Sequence, residues 1–181
     1  MIECVSDEVR YENDFIIEIS TLLLEQLLDS LDGIELKIVL QEKVDSQASI
    51  TDSKYSYASP ECGITIAKVV KNKGYKFEVV INQGLEWQCF LRTLIHELTH
   101  VAQYQRKDLA HVDTSLGESL TYFKNIAYDC DEVKYQDQPW EIEAVNNEIK
   151  MLKFLAGWIE SNNSNKSNYE RTNCDGKYGQ A

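Results

Sequence analysis

The chain has 181 residues, 43% hydrophobic and 27% charged with only 2 prolines, a globular composition long enough to bury one core without disulfides or a structural metal. Its 30 Asp and Glu against 18 Lys and Arg give a formal charge of −12, which repels a phosphate backbone and argues against a nucleic-acid reader. No apolar run approaches the roughly 18 residues of a membrane span, since the richest, Phe15 to Leu28, is broken by Glu18, Ser20, Glu25 and Gln26.

From Met1 to Asp14 five acidic residues stand against Arg10, the reverse of a basic secretory start. Asn13 and Asp14 suit a helix N-cap, and Phe15, Ile16, Ile19, Leu22, Leu23, Leu27 and Leu28 then recur at helical spacing, predicting a helix that ends at Asp32-Gly33. Ile34 to Leu40 alternates as a half-buried strand, and residues 41 to 60 are polar, Ser/Asp-rich and expected to be a loop. Gly63 to Val70 and Tyr75 to Ile81 read as a hairpin around Lys71-Asn72-Lys73-Gly74. A long helix follows from Leu85 to about Lys107, with Trp87, Leu91, Leu94, Leu98, Val101 and Ala102 on one face. A further helix is expected over Ser115 to Ala127, opened by a Ser115/Glu118 capping box and burying Leu116, Leu120, Phe123 and Ile126. After an acidic connection, Pro139 opens a last helix running to about Glu160. Residues 161 to 181, rich in Asn, Ser, Lys and Gly, are expected to be a disordered tail beyond a single domain over 1–160. The order of helix, strands, then helices predicts an α+β domain rather than βαβ units, with a small, mostly antiparallel sheet packed against the helices.

The chain has 3 histidines, and two fall in His96-Glu97-Leu98-Thr99-His100. Four residues of helix stack both imidazoles on one face, where they can share an ion, while Glu97 beside the first can reach that ion's water. On a wheel of roughly 100° per residue, His96, His100 and Gln103 lie opposite the apolar face, toward a cleft. Two surface histidines beside an unrelated Glu are the bland alternative, and the spacing disfavours it.

Catalytic zinc takes three protein ligands and leaves a fourth position for water. The longer H-E-x-x-H-x-x-G-x-x-H pattern fails, because Gln103 and Arg106 occupy its Gly and His positions, which excludes a metzincin. His111 lies beyond the helix and reads as a solvated loop histidine. On the last helix Val145, Ile149, Leu152, Ala156 and Ile159 define the expected inward face. Glu141 falls within that arc and Glu143 nearly opposite, so Glu141 is the expected third ligand, with Glu148 as its support or substitute. Of the tyrosines, Tyr104, Tyr122, Tyr128 and Tyr135 could each steady an oxyanion, and nothing in the sequence selects among them.

His96 to Gln103, H-E-L-T-H-V-A-Q, followed by Pro139 to Ala144, P-W-E-I-E-A, resembles the gluzincin-type zinc metallopeptidases, especially small cytoplasmic or phage-type peptidases, over about residues 75 to 160. The resemblance implies a zincin-like fold and a third ligand, on the helix after the active-site helix, in an E-x-x-A/S-D/N context. Read from Glu141 that context fits up to Val145, where Asp or Asn would be usual; read from Glu143 it ends at Asn147, which keeps Glu143 as the alternative ligand. It also implies an edge strand, Gly63 to Val70 or Tyr75 to Ile81, that holds extended substrate by backbone pairing.

The expected activity is hydrolysis of peptide or protein substrates, with Zn²⁺ held by His96, His100 and Glu141 and Glu97 as general base. Neither nucleic acid nor membrane is an expected partner. The five cysteines, odd in number and never in a C-x-x-C pair, suggest reduced thiols and a cytoplasmic setting. The competing reading is a non-catalytic acidic binder or inhibitor, for instance a DNA mimic, with a structural or vestigial metal site. Oligomeric state is open at this level.

Overall fold

The computed structural model describes residues 1–6, 12–42, 63–70, 74–113, 119–129 and 132–174. Strand β1 (Ile2–Ser6) leads to helix α1 (Asn13–Leu27) and strand β2 (Glu35–Gln41). The expected loop from residue 43 onward and the turn at 71–73 lie outside the described residues. Strands β3 (Gly63–Val70) and β4 (Gly74–Asn82) then precede helix α2 (Trp87–Gln105). Three short strands follow, β5 (Leu109–Asp113), β6 (Ser119–Phe123) and β7 (Ile126–Asp129), before a 3₁₀ turn (Tyr135–Asp137) and helix α3 (Pro139–Cys174).

The larger sheet has the order β1-β2-β4-β3. β1 and β4 each pair parallel to β2, and only β3 and β4 form the expected antiparallel pair, with Gly63 opposite Ile81 and Val70 opposite Gly74. The expectation of a mostly antiparallel sheet without βαβ units is therefore corrected: β1-α1-β2 is such a unit. The first strand escaped notice because its apolar residues, Ile2, Cys4 and the outward Val5, form too short a run to outweigh the surrounding acids. The domain is mixed α/β, with three α-helices and two small sheets among the described residues.

Alternation along the strands decides which sheet face is covered. Leu36, Ile38 and Leu40 of β2 and Phe77, Val79 and Ile81 of β4 point to one side, where they meet Ile16, Ile19, Leu23 and Leu24 of α1 and Leu91, Leu94, Leu98 and Val101 of α2 in one core. α1 ends at Leu27, short of the expected Asp32-Gly33. Leu28 is already extended, Ser30 Oγ accepts the Asp32 backbone N–H at 3.0 Å, and Gly33 takes φ +76°, a local turn that outcompetes further helix. β3 comes unusually close to α2: a Cβ placed on Gly63 would lie 2.5 Å from Thr93 Cγ2.

The helix expected over Ser115 to Ala127 is corrected to the small sheet β5-β6-β7; residues 114–118 lie outside the described set. Phe123 pairs with Ile126 across a two-residue turn, and Lys124 and Asn125 both take positive φ, 49° and 67°, as a type I′ hairpin requires. The spacing of Leu120, Phe123 and Ile126 imitates a helical face, but it comes from the inner Phe123 and a turn that restarts the alternation. The small sheet is tied to α3 by Trp140, which is 1% exposed and packs its ring against Phe123 and Tyr128. Truncation of so buried an aromatic costs about 3–5 kcal/mol.

α3 begins at Pro139, as expected, but it runs through Ser161 to Cys174 rather than ending near Glu160, so the first two-thirds of the expected tail is helical. Its inward face is also corrected. Trp140, Glu141, Ala144, Glu148, Met151 and Leu155 are buried, whereas Ile142, Val145 and Ile149 are half exposed. α3 packs on the side of α2 away from the sheet, which leaves α2 enclosed between two layers. No helix among the described residues is long and apolar enough to cross a membrane.

Candidate metal centre

The enclosure of α2 determines what its polar residues must do. Glu97, Thr99, His100 and Gln103 are all buried, so each needs a partner inside the protein. Thr99 donates to the Ile95 carbonyl within its own helix at 2.9 Å. The others meet α3 and the sheet, and the cleft expected in front of the histidines is occupied by α3.

One turn apart on α2, the two imidazoles sit edge to face with centroids 4.8 Å apart. Glu141, from the first turn of α3, reaches both: His96 Nε2 is 3.0 Å from its Oε2 and His100 Nε2 is 3.4 Å from its Oε1. The donor atoms of His96, His100 and Glu141 all lie within 4.8 Å of one another. Each imidazole is held from behind. His96 Nδ1 is 3.0 Å from Glu148 Oε1, and Glu148 Oε2 accepts from Arg92 Nε at 3.0 Å. His100 Nδ1 is 2.8 Å from Gln103 Oε1, and the Gln103 amide nitrogen donates to the Trp140 carbonyl at 2.9 Å. These contacts put the Nδ1 proton toward its acceptor and turn both Nε2 atoms to one point.

The remaining candidates separate clearly. Glu143 accepts from Arg106 at 2.6 Å and from Lys124 at 2.9 Å on the surface, and takes no part in the cluster. The wheel therefore placed Glu141 and Glu143 on the sides they occupy, although the apolar residues used to define its inward arc face largely outward. His111 is not in a loop, as expected, but on β5, with Nδ1 2.8 Å from Thr121 Oγ1 and its ring 5.9 Å from Tyr104. Burial lowers its pKa to about 4, so it stays neutral. It lies across a water-sized cavity of about 20 Å³ from His100 and Glu141, outside the three-residue cluster. A larger pocket of about 740 Å³ opens beside Met1, Lys37, Lys76 and Glu78, remote from both cluster histidines.

Glu97 sits beside the cluster. Thr65 Oγ1, on β3, lies 2.6 Å from Glu97 Oε2 and 3.0 Å from its carbonyl oxygen, so one hydroxyl fixes this turn of α2. Burial pushes the Glu97 carboxyl above its usual range, which favours proton uptake. Burial opposes the charges on Glu141 and His96, yet their neighbours prevail: the imidazoles of His100 and His96 hold Glu141 down at about 2, and the carboxylates of Glu141 and Glu148 raise His96 to about 10. Tyr135 thus stands out from the other tyrosines. Although 44% exposed, it stands near the Glu141 carboxylate from the 3₁₀ turn, where burial and that negative charge raise its pKa.

The fit of this site to a metal can be judged from its own atoms. His100 Nε2 and Glu141 Oε1 are buried and without a hydrogen-bond partner, although they face each other. Orphaned buried polar atoms are costly, and an ion between them would satisfy both. Two imidazole nitrogens and one carboxylate form the N,N,O set that zinc accepts with one position left open. Gln103 is three residues from His100 on the same helix face, a relation visible in sequence; Thr65 and Arg92 carried no such signal. Compared with known proteins, the chain matches no family model, no curated protein and no solved structure.

Proposed function

We propose that this chain is a gluzincin-type, zincin-like zinc metallopeptidase, with His96, His100 and Glu141 holding the ion and Glu97 moving protons. The observation that carries the reading is the convergence of three donor groups, two buried and one half-buried, whose imidazoles are both oriented from behind, beside a buried carboxylate that binds none of the three. When bound, zinc supplies Lewis acidity, polarising a carbonyl and making water easier to deprotonate. Glu97 accepts the proton of the attacking water and returns it to the leaving amine. Thr65 keeps the Glu97 carboxylate in place between those transfers. The burial that raises the Glu97 pKa makes it a stronger base than a solvated glutamate, and the enclosure of α2 keeps competing bulk water away. The substrate class is peptide or protein, and the edge of β3 that pairs with no strand among the described residues, joined to Glu97 through Thr65, is the natural place for an extended chain to lie. Cys4 and Cys89 are free, consistent with the proposed cytoplasmic setting.

Metal analysis of protein purified without chelator tests this first, with one zinc per chain expected. Glu97→Gln should keep that zinc and lose hydrolysis of a peptide library. Zinc retained in full by a His96→Ala/His100→Ala double variant overturns the ligand assignment, and a zinc-free native chain returns the acidic-binder reading.

A further inference from the structure

Apolar residues along α3 form a pattern that the metal site does not use. Ile142, Val145, Ile149, Leu152, Ala156 and Ile159 follow one another at intervals of 3, 4, 3, 4 and 3 residues; Ile142, Val145, Ile149 and Ala156 are exposed, Ile159 is half-buried, and Leu152 is half-buried with one side against the core. That is the spacing of a coiled-coil seam, and the buried face of the same helix, Glu141, Ala144, Glu148, Met151 and Leu155, keeps the same 3, 4, 3, 4 spacing beside it. Ile142, Val145 and Ile149 are 47%, 47% and 58% exposed, although the buried face of the same helix lies immediately beside them. The stripe spans roughly 26 Å of helix at about 1.5 Å per residue. Isolated exposed apolar residues need no explanation, but a continuous stripe in heptad register marks a surface that is covered in use.

We propose that this stripe is the interface through which two copies of the chain pair, α3 against α3. Three features favour a second copy over an unrelated partner. A two-fold interface needs only one self-complementary patch, and a heptad seam meets that condition. Its central layer puts Ile149 at the first and Leu152 at the fourth heptad position, the combination that favours two strands over three or four. The charges are the third. In a chain of net −12, two copies repel over most of their surfaces, yet the charged surface residues beside the stripe are Lys153 and Glu160, one of each sign. Two copies therefore meet here without stacking like charge. The pairing is independent of zinc chemistry, although Ile142 adjoins the candidate ligand Glu141.

Sedimentation velocity of the full chain over micromolar to hundreds of micromolar concentration tests the proposal. A species of twice the 20.8 kDa chain mass is expected to grow with concentration. Ile149→Glu and Val145→Glu should each raise the dissociation constant by a factor on the order of 30 or more. Because both side chains face outward, circular dichroism and zinc content should match wild type. Ile126→Glu, at an exposed position on β7, should leave the dimer unchanged. A wild-type chain that stays monomeric at every concentration overturns the proposal, whether or not the stripe then binds a different helix. So does a dimer that survives in the Val145→Glu/Ile149→Glu double variant.

Discussion

The solvent-side and interior halves of the candidate metal centre orient equivalent histidines by different means. His96, with a side chain 14% exposed, leans on the carboxylate of Glu148, which is neutralised by Arg92 at the surface. His100, 6% exposed, leans on the neutral amide of Gln103, which is anchored to a main-chain carbonyl. The difference follows the local dielectric. Near solvent a carboxylate can remain ionised with a partly hydrated arginine, whereas a third carboxylate buried beside Glu141 and Glu97 would add charge without compensation. Each imidazole thus receives an acceptor that its surroundings tolerate.

The largest expected effect breaks both halves together: His96→Ala or His100→Ala should abolish stoichiometric zinc, read by metal analysis after dialysis. Next, Glu97→Gln should lower hydrolysis about 10²–10⁴-fold, the usual share of general acid–base catalysis, while a competition titration finds zinc affinity unchanged. Equal zinc-dependent cleavage by wild type and variant would eliminate the proposed role. The comparison itself is sharpened by Gln103→Leu and Glu148→Gln. Each should weaken zinc about 10–100-fold, and only the effect of Glu148→Gln should shrink as salt screens the Arg92 pair in wild type. Equal salt dependence at the two sites would show that the distinction between charged and neutral support is wrong.

A smaller effect concerns acid stability. His111 has a folded pKa of about 4 against an ordinary value near 6.5, so between those values the unfolded chain binds more protons. Its contribution is fully present above about 6.5 and is lost as pH falls toward 4. His111→Gln should flatten that part of the stability profile relative to wild type in parallel urea titrations; an unchanged slope would mean that His111 is solvated. The smallest effect belongs to Glu143→Gln. Its ion pairs are on the surface, so stability should fall by about 0–1 kcal/mol and zinc affinity should not move.

What was legible in the sequence was local. The His96/His100 pair and Glu97 are fixed by the geometry of one helix, and α2, β3 and β4 emerged from periodicity within a few residues of their ends. The parallel order β1-β2-β4 depends on pairings between distant segments, for which alternation in one strand gives no signal. The small sheet was misread because a short inner-face pattern and a hairpin turn reproduced helical spacing. Glu141 was placed inward by a face that proved half exposed. It lies where the buried face and the outer stripe adjoin, so choosing the wrong half of a wide apolar arc still put it on the correct side.

The placement of the three candidate ligands also has a kinetic consequence. His96 and His100 come together once four residues of helix form, an event on the sub-microsecond to microsecond scale, whereas Glu141 must close a loop of some forty residues and dock a second helix. Zinc present during refolding would therefore meet a two-histidine half-site before the carboxylate arrives. Because an unfolded chain can offer the same pair, part of the metal's stabilisation is cancelled by binding to the denatured ensemble, and the net gain reflects chiefly the late arrival of α3.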